Sequence, residues 1–375
     1  MIRCDVLIVG GGPAGSTLAW ALRDSGLSVH ILDKRRFPRD KVCAGWITPA
    51  VVSALALDLD DYRRERVLQP VSGFRVGCMS GPLVETRYDG GPVSYGIRRC
   101  EFDHYLLRRA GAVVHEGVAF KGAEPGAGGI VVNGEYHARL LVGAGGHFCP
   151  VARFLGSRLG RSETVVAAQE IEFLMTPEQR AACRVDPELP ELYFCDDLGG
   201  YGWAVRKGDW LNIGLGREDN HRLAEQVAAF WNHLRARGRI SGEPPARFHG
   251  HAYLLYPHAR RPLGGPRTLL VGDAAGLAYA QSGEGIRPAV ESALLAAAAI
   301  REAGGDFGPA LVERYRALLT GRLGPRRQRD AAAWLPAGLR QALGRRLLSS
   351  QWFVRHLVMD RWFLHRQQPA LAPAG

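Results

Sequence analysis

An apolar segment that runs directly into a cluster of glycines constrains the fold of this chain more than any other feature of its sequence. Asp5–Val9 predicts a β-strand, Pro13–Ser25 a helix and Ser28–Leu32 a second strand. Two strands joined by one helix within about thirty residues form a βαβ unit, and such a unit requires a parallel sheet. The glycines and Asp5 interrupt the apolar stretch, which favours this interpretation over an export signal.

The turn itself reads Gly10-Gly-Gly-Pro-Ala-Gly15 and has the spacing of a dinucleotide-binding motif. In such a turn Gly10 permits the tight bend, Gly12 lets backbone N–H groups approach a pyrophosphate, and Gly15 allows the helix to pack closely on the strand. The helix that begins at Pro13 adds the partial positive charge of its dipole. Asp33 follows the second strand, where a ribose hydroxyl needs an acceptor. These residues predict a bound dinucleotide.

A second glycine-rich turn, near residue 272, indicates which dinucleotide is bound. A predicted strand, Thr268–Val271, precedes Gly272-Asp-Ala-Ala-Gly276, and Ser282-Gly-Glu-Gly-Ile286 leads into an alanine-rich helix. Asp273 can meet the ribityl hydroxyls of a flavin. The N terminus of the following helix can stabilise negative charge at N1 and C2=O of the reduced ring. Together with the first turn, this second turn favours FAD.

Composition excludes several other classes of protein. The chain has 375 residues, of which 46% are hydrophobic and 23% charged, which suits about two globular domains and no fibrous or disordered class. Its seven cysteines are odd in number, scattered and never spaced as CxxC. This pattern argues against a disulfide framework and against a zinc or iron–sulfur site, so no metal and a reduced, cytoplasmic protein are expected.

Positive charge is concentrated at the C-terminal end. The net charge is +11, and residues 301–375 contribute +8 of it, from 13 Arg against 5 acidic residues. Arg345–Arg366 is a basic amphipathic stretch, which predicts either peripheral contact with the inner face of a membrane or docking over the substrate mouth of the protein itself. Nucleic acid is an unfavoured partner, because only four of the 48 basic residues are lysine and no RNA-binding module is recognised. The last residues, 369–375, are expected to be disordered.

The alternation of predicted elements divides the chain into three parts. The predicted fold class is mixed α/β, with a Rossmann-like FAD-binding domain, an inserted antiparallel-sheet substrate domain and a helical C terminus. The expected boundaries are 1–70, 95–160 and 263–305 for the FAD-binding domain, 71–94 and 161–262 for the substrate domain, and 306–375 for the helical region with its tail.

Three further stretches complete a resemblance to the FAD-dependent oxidoreductases of the glutathione-reductase-type fold. Phe37-Pro-Arg-Asp-Lys-Val-Cys-Ala-Gly45 resembles the Lys-x-Cys-Gly-Gly segment that passes the flavin in geranylgeranyl reductases. Arg99-Cys-Glu-Phe-Asp-His-Tyr-Leu106 is similar to Arg-x-x-Phe-Asp-x-x-Leu, whose arginine contacts FAD. Tyr201-Gly-Trp203 resembles the Tyr-x-Trp-x-Phe-Pro of the substrate chamber. In the branch that also holds p-hydroxybenzoate hydroxylase and the flavin halogenases, the chain most resembles the geranylgeranyl reductase family.

The turns and this resemblance together identify candidate site residues. The cofactor-binding candidates are Gly10, Gly12, Pro13, Ala14, Gly15, Asp33, Lys34, Lys41, Cys43, Ala44, Arg99, Gly272, Asp273, Gly283, Glu284, Gly285 and Ile286. The catalytic candidates are Cys43, Tyr201, Trp203, Tyr279 and Gln281.

The roles of several candidates have alternatives. The resemblance places Cys43 beside the flavin, where Lys41 would favour its thiolate, and the alternative is a small buried apolar side chain. Tyr201 and Trp203 either form a wall of the substrate pocket or belong to the core. For His147 and His251 the sequence favours structural roles.

Some positions depart from the family patterns. Hydroxylases of this branch carry Gly-Ala-Asp-Gly where this chain has Gly143-Ala-Gly-Gly146, and His where it has Gly276. Both differences argue against aromatic hydroxylation. Val205-Arg206 and Tyr279-Ala280 replace the Phe-Pro and Asn-Pro of the reductases, and the halogenase motif Trp-x-Trp-x-Ile-Pro is absent from the sequence.

The resemblance implies a reductase of C=C bonds in an apolar, polyprenyl-type substrate, with hydride transfer from N5 of reduced FAD. The alternative is an FAD-dependent monooxygenase or related oxidative tailoring enzyme that acts through a flavin C4a-hydroperoxide. A flavoprotein whose basic tail binds RNA ranks third. No second GxGxxG provides a separate nicotinamide domain, so NAD(P)H or ferredoxin would act as a transient reductant.

Overall fold

The computed structural model describes residues 1–158, 163, 165–219, 221–326 and 336–372. Its strands in chain order are β1 (Ile2–Val9), β2 (Val29–Asp33), β3 (Trp46–Ile47), β4 (Leu68–Val71), β5 (Gly73–Cys78), β6 (Val84–Arg87), β7 (Ser94–Ile97), β8 (Val113–Glu116), β9 (Ala123–Gly126), β10 (Gly129–Val132), β11 (Tyr136–Gly143), β12 (Val165–Leu174), β13 (Glu191–Phe194), β14 (Gly200–Lys207), β15 (Trp210–Arg217), β16 (His249–Leu254), β17 (Gly264–Gly265) and β18 (Thr268–Leu270).

The helices alternate with these strands in the first part of the chain and follow one another at its end. They are α1 (Pro13–Leu22), α2 (Pro49–Ala54), α3 (Leu59–Arg63), α4 (Arg99–Arg108), α5 (Pro150–Phe154), α6 (Pro177–Ala182), α7 (Leu223–Ala236), α8 (Ile286–Glu302), α9 (Pro309–Leu323), α10 (Ala337–Leu347) and α11 (Gln351–Phe353). Within the described residues, no helix has both the length and the hydropathy needed to cross a bilayer.

A mainly parallel sheet forms around the first glycine-rich turn. Its central order is β17-β18-β11-β1-β2-β8, and the β9–β10 hairpin adds to β11. β1 pairs in parallel with both β2 and β11. Residues 6–9 are buried because both faces of the sheet are covered, as in other parallel sheets. Helices α1 and α8 pack against each other next to this sheet. The Rossmann-like fold predicted from the βαβ pattern is confirmed.

A second sheet has the order β16-β12-β15-β14-β13-β5-β6. Its neighbours are antiparallel except for the parallel pair β13–β5, which confirms the predicted antiparallel sheet in the middle of the chain. One face of this sheet packs on α7 through Phe230 and Trp231. The segments predicted as the substrate domain, 71–94 and 161–262, contain all seven of these strands. The boundaries themselves stay a prediction.

Several element limits differ from the sequence-based expectation. The first helix ends at Leu22 rather than Ser25, and the first strand begins at Ile2 rather than Asp5. The alanine-rich helix begins at Ile286 and carries Pro288 in its first turn, where a proline has no intrahelical hydrogen bond to lose. The strand expected at Thr268–Val271 ends at Leu270.

The C-terminal stretch is not one amphipathic helix. It breaks after α10, and residues 354–363 form π-helical turns that bury Val354, Val358, Met359 and Phe363 against the seven-stranded sheet. This packing agrees with the alternative that the stretch docks on the protein itself. Side chains that remain exposed are Leu339, Leu343 and Trp352, the last at 68%. Peripheral membrane contact stays a prediction.

Buried arginines hold this C-terminal segment on α8. Arg287 donates from Nε to Glu291 at 2.8 Å and from Nη2 to the carbonyl oxygen of Gln368 at 2.8 Å. Arg322 donates to the other oxygen of Glu291 at 2.9 Å and to the carbonyl oxygen of Pro369 at 2.7 Å. The chain is therefore fixed at residue 369, where disorder was expected, while residues 373–375 lie outside the described part.

Replacing Arg287 with methionine tests this anchor. Arg287→Met leaves buried carbonyl groups without a donor and removes one of two partners of Glu291, so we expect a loss of about 3 kcal/mol of unfolding free energy. Urea unfolding measures it. The control is Arg314→Met, which breaks an exposed pair with Glu302 and should cost less than about 1 kcal/mol. Equal stability of the two variants would contradict the assignment.

Candidate active site

A cavity of about 380 Å³ lies where the parallel sheet, the seven-stranded sheet and the 37–45 loop meet. The first glycine turn forms one side of it. Gly10 has φ of +117°, and a Cβ there would lie 2.5 Å from the carbonyl oxygen of Ala144. A Cβ on Gly15 would lie 1.9 Å from the carbonyl oxygen of Gly10. Neither position accepts a side chain, so the start of α1 sits directly on the end of β1.

Gly12 differs from these two glycines because a Cβ there would make only ordinary contacts with side chains. The nearest atom to a Cβ there is Nη2 of Arg39, at 3.4 Å. Gly12 precedes α1, whose first N–H groups have no partners within the helix. The turn therefore offers backbone donors and a helix dipole to an anion at the cavity surface.

Asp33 ends β2 at the same side of the cavity. Its Oδ2 accepts the N–H of Gly11 and its Oδ1 accepts the N–H of Arg35, both at 2.8 Å. These bonds fix the carboxylate while each oxygen keeps a further lone pair. The residue can thus accept a ribose hydroxyl without moving.

The second turn, Gly272–Ala275, brings Asp273 to the opposite part of the cavity. Gly272 has φ of +61°, and a Cβ there would lie 3.1 Å from Ala14 and 3.2 Å from Ala289. A Cβ on Gly285, which caps α8, would lie 3.0 Å from Oδ1 of Asp273. The two helix N termini and the two carboxylates therefore border one cavity. This set of groups fits a dinucleotide with a phosphate bridge and hydroxyl groups near both ends.

Positive groups surround Asp273. Lys41 Nζ lies 2.7 Å from Nε2 of His251, which in turn lies 4.0 Å from Oδ2 of Asp273. Burial, followed by repulsion from Arg99, lowers the pKa of Lys41 to about 8. Burial also lowers the pKa of His251, whose ring can then accept from the lysine. Burial alone would raise the pKa of Asp273, but His251, Lys41 and Arg99 hold it below its usual range.

Arg99 reaches the cavity from the start of α4. Its guanidinium donates to both oxygens of Asp103, at 2.8 and 2.9 Å, and it also interacts with the thiol of Cys43. Asp103 is fully buried and additionally accepts from Arg39 at 2.9 Å. Two arginines are thus fixed by one carboxylate and keep a net positive charge at the cavity.

Cys43 is half-buried and lies on the cavity in the 37–45 loop. Its backbone N–H donates to Glu170 at 2.7 Å, and its carbonyl oxygen accepts from Asn212 at 3.1 Å. Gly45, with φ of +71°, donates its N–H to the sulfur at 3.4 Å. Burial raises the pKa of Glu170 to about 7, against the effect of the hydrogen bonds from Asn212 and Cys43.

Aromatic side chains form the wall next to Cys43. Tyr201 and Trp203 project from β14 with ring centroids 6.0 Å apart, and Trp46 and Tyr253 complete the wall. The Tyr201 hydroxyl donates to the carbonyl oxygen of Ser282 at 2.5 Å, and Trp203 Nε1 donates to Asn212 at 2.7 Å. The polar ends of both rings are therefore occupied within the protein.

Glu284 adds a carboxyl group to the cavity lining. Burial raises its pKa to about 7, although Arg287 acts in the opposite direction. Oε2 of Glu284 is buried and has no hydrogen-bond partner among the described residues. This side chain can therefore hold a proton near neutral pH.

Most predicted site residues border the cavity. They are Gly10, Gly12, Pro13, Ala14, Asp33, Lys34, Lys41, Cys43, Ala44, Arg99, Tyr201, Trp203, Asp273, Gly283, Glu284, Gly285 and Ile286. Gly15 and Gly272 lie beneath the turns and permit their packing.

Two catalytic candidates are placed elsewhere. Tyr279 is buried away from the cavity, with its ring stacked on His365 at a centroid distance of 3.7 Å. Gln281 is exposed at the tip of the turn that Tyr279 and Glu284 close, so neither side chain reaches the cavity.

Other cavity residues were not identified from the sequence. Trp46 and Tyr253 line it, as do His147 and His251, for which structural roles were expected. Glu170 and Asn212 lie directly behind Cys43. Their positions depend on strand pairing and loop packing, which no local motif reveals. For Glu170 the one available sequence signal was its place among the alternating residues of β12, which share one face of the strand.

Comparison with known proteins agrees with this geometry. Residues 8–40 match the NAD(P)-binding Rossmann-like domain. The chain is 33% identical over 336 residues to the chloroplastic geranylgeranyl diphosphate reductase of Oryza sativa subsp. japonica, covering 83% of this chain and 69% of the rice protein.

Solved structures share the fold. A geranylgeranyl bacteriochlorophyll reductase-like protein from Thermoplasma acidophilum has a TM-score of 0.75 at 22% identity, covering 99% of this chain and 93% of the other. A probable FAD-dependent monooxygenase from Pseudomonas aeruginosa has a TM-score of 0.62 at 19% identity, covering 86% and 97%. At these identities the likeness concerns the fold alone.

Two substitutions test the cofactor site. Asp273→Ala removes an acceptor from the cavity, and Gly12→Val fills the phosphate approach while its ordinary φ of −76° tolerates the side chain. We expect the affinity for FAD to fall about 10- to 100-fold, as measured by flavin fluorescence titration of refolded apoprotein.

Gly122→Val is the matched control, since a Cβ there meets no atom within 4 Å. Folded Asp273→Ala and Gly12→Val proteins that keep the wild-type affinity for FAD would refute the site.

Proposed function

Because the chain belongs to the geranylgeranyl reductase family and is an FAD-dependent oxidoreductase, we propose that it saturates C=C bonds of an apolar, polyprenyl-type substrate. The observation that carries this proposal is the apolar face that the aromatic wall turns to the cavity. Ser282 and Asn212 occupy the polar ends of Tyr201 and Trp203, so the rings offer surface but no hydrogen bonds to a substrate. Such a wall suits a hydrocarbon chain.

Reduced FAD, when bound, supplies a hydride from N5. An isolated C=C bond develops no oxyanion, so most of the rate must come from orientation and from the exclusion of water. Trp46, Tyr201 and Trp203 would hold the double bond in place. Cys43 lies next to these rings on the same cavity.

The reaction also requires a proton at the second carbon. Two groups of this chain can hold it: the Sγ of Cys43 and the carboxyl of Glu284, whose raised pKa keeps it protonated near neutral pH. The resemblance around Cys43 makes this thiol the first choice. NAD(P)H or ferredoxin as the electron source stays a prediction.

The alternative is a flavin monooxygenase reaction, since the fold is also that of a probable FAD-dependent monooxygenase and so does not by itself distinguish the two. Anaerobic turnover separates the two. With chemically reduced enzyme and geranylgeranyl diphosphate under argon, we expect a product heavier by two hydrogens for each bond reduced, detected by mass spectrometry. A product that forms only with oxygen and carries an added oxygen atom would establish the monooxygenase instead.

Cys43→Ala tests the proton donor. The substitution should leave FAD bound, because the glycine turns and carboxylates remain, and should lower kcat about 100-fold or more through loss of the acid. Flavin absorbance and single-turnover rates measure the two effects. Cys100→Ala, a half-buried thiol away from the cavity, should keep the wild-type rate. Unchanged turnover of Cys43→Ala would return Cys43 to a packing role.

A further inference from the structure

A buried polar pair lies behind Cys43, and neither of its members takes part in the hydride or proton transfer proposed above. Glu170 on β12 is 5% exposed and Asn212 on β15 is 1% exposed. Antiparallel pairing places Glu172 opposite Asn212 and Glu170 opposite Gly214, so both side chains project from the same face of the sheet. That face is the one turned toward the cavity and the 37–45 loop.

The pair holds both sides of one residue in that loop. Oε1 of Glu170 accepts the N–H of Cys43 at 2.7 Å, and Oε2 accepts Nδ2 of Asn212 at 2.9 Å. The same amide nitrogen donates to the carbonyl oxygen of Cys43 at 3.1 Å. The backbone of Cys43 is therefore bound through its donor and its acceptor at once.

The other end of Asn212 reaches the aromatic wall. Its Oδ1 accepts from Nε1 of Trp203 at 2.7 Å. The indole packs against Gly214, where a Cβ would come within 2.3 Å of the ring. One continuous set of hydrogen bonds thus connects Cys43 with Trp203.

Folding stability alone does not explain why Glu170 and Asn212 are buried here. A buried carboxylate is costly, and apolar residues of similar volume are often equally stable or better. The neighbouring Glu172 is neutralised by Lys207 at 2.7 Å. Within the part of the chain that the structure describes, Glu170 forms no ion pair and is bound only by hydrogen-bond donors of Cys43 and Asn212.

We propose that Glu170 and Asn212 are positioning residues, a polar clamp that fixes the Cys43 backbone and the Trp203 indole in one arrangement around the substrate. The catalytic part of this inference rests on the proposed function. The clamp itself is a property of the chain, so it can be measured without turnover.

Three variants separate the clamp from general stability. In Glu170→Gln, an amide N–H₂ replaces one carboxylate oxygen. Either the N–H of Cys43 or Nδ2 of Asn212 then faces a donor instead of an acceptor. Asn212→Asp places a second carboxylate beside Glu170 and removes the donor to Cys43. The double variant Glu170→Gln/Asn212→Asp restores the contact with donor and acceptor reversed. It leaves the Cys43 carbonyl without its partner and also removes the donor that lies 3.4 Å from Oε1 of Glu172.

The main readout is the rate at which iodoacetamide alkylates Cys43, followed by peptide mass spectrometry in protein with and without FAD. Cys100, also half-buried, is the internal reference. We expect each single variant to raise the alkylation rate of Cys43 about tenfold, which corresponds to the loss of one hydrogen bond to a charged group. The alkylation rate of the double variant should return to within about threefold of the wild-type rate.

Tyr193→Phe is the matched control. The substitution removes a buried hydrogen bond of 2.7 Å from Tyr193 to Glu191. Tyr193 lies in the same sheet, but its ring packs on α7 and away from the cavity. The substitution should leave the Cys43 rate unchanged. In the loaded enzyme, kcat should fall with the single variants and recover in part with the double variant.

The outcomes are distinct. Two results would overturn the clamp. In the first, the single variants lower the unfolding midpoint but leave the alkylation rate of Cys43 relative to Cys100 unchanged. In the second, the double variant has a Cys43 alkylation rate as high as that of the single variants. If the Cys43 rates follow the expected pattern while the wild-type enzyme reduces no C=C bond, the clamp stands and the proposed function fails.

Discussion

The whole site depends on how closely α1 and α8 approach each other. A side chain at Gly272 would come into close contact with Ala14 on one helix and Ala289 on the other. Small residues continue along α8, where Ala293, Ala296 and Ala297 are buried. This approach brings two turns that are more than 250 residues apart onto one cavity, with both helix N termini directed at it. Without it, each turn would be an isolated anion site rather than half of a dinucleotide cradle.

The parts of the site carried by local motifs could be predicted from the sequence. Gly10, Gly12 and Asp33 belong to a single βαβ unit, and Asp273 belongs to a strand–turn–helix, so backbone geometry over a few residues decides their positions. Tyr279 and Gln281 show the limit of this reasoning. Although they lie within five residues of Glu284, the turn closed by the N–H of Tyr279 to the carbonyl of Glu284 directs them away from the cavity. Sequence proximity indicated the element but not the direction of its side chains.

Residues placed by strand register were beyond local prediction. Glu170 and Asn212 meet because β12 and β15 pair in one register, and a shift of this pairing by one residue would leave the two side chains on opposite faces of the sheet. Trp46 comes to the wall from a two-residue strand that no pattern of alternation could indicate. His251 approaches Asp273 because β16 pairs with the edge of β12. These contacts are set by the tertiary fold, which also explains why Glu170, a buried carboxyl with a raised pKa, was not identified from the sequence.

The C-terminal segment gives the aromatic wall its support. Phe363 packs edge-on against Tyr201 at a centroid distance of 5.4 Å and lies 6.4 Å from Trp46. The position of the π-helical turns that carry Phe363 depends on the apolar surface of the sheet and on Arg287 of α8 and Arg322 of α9, which bind the residues that follow these turns. The shape of the chamber is therefore decided by residues that follow the last recognisable motif by more than seventy positions. The segment also contacts the cofactor side of the molecule, because His365 stacks on Tyr279 beside the second glycine-rich turn at a centroid distance of 3.7 Å.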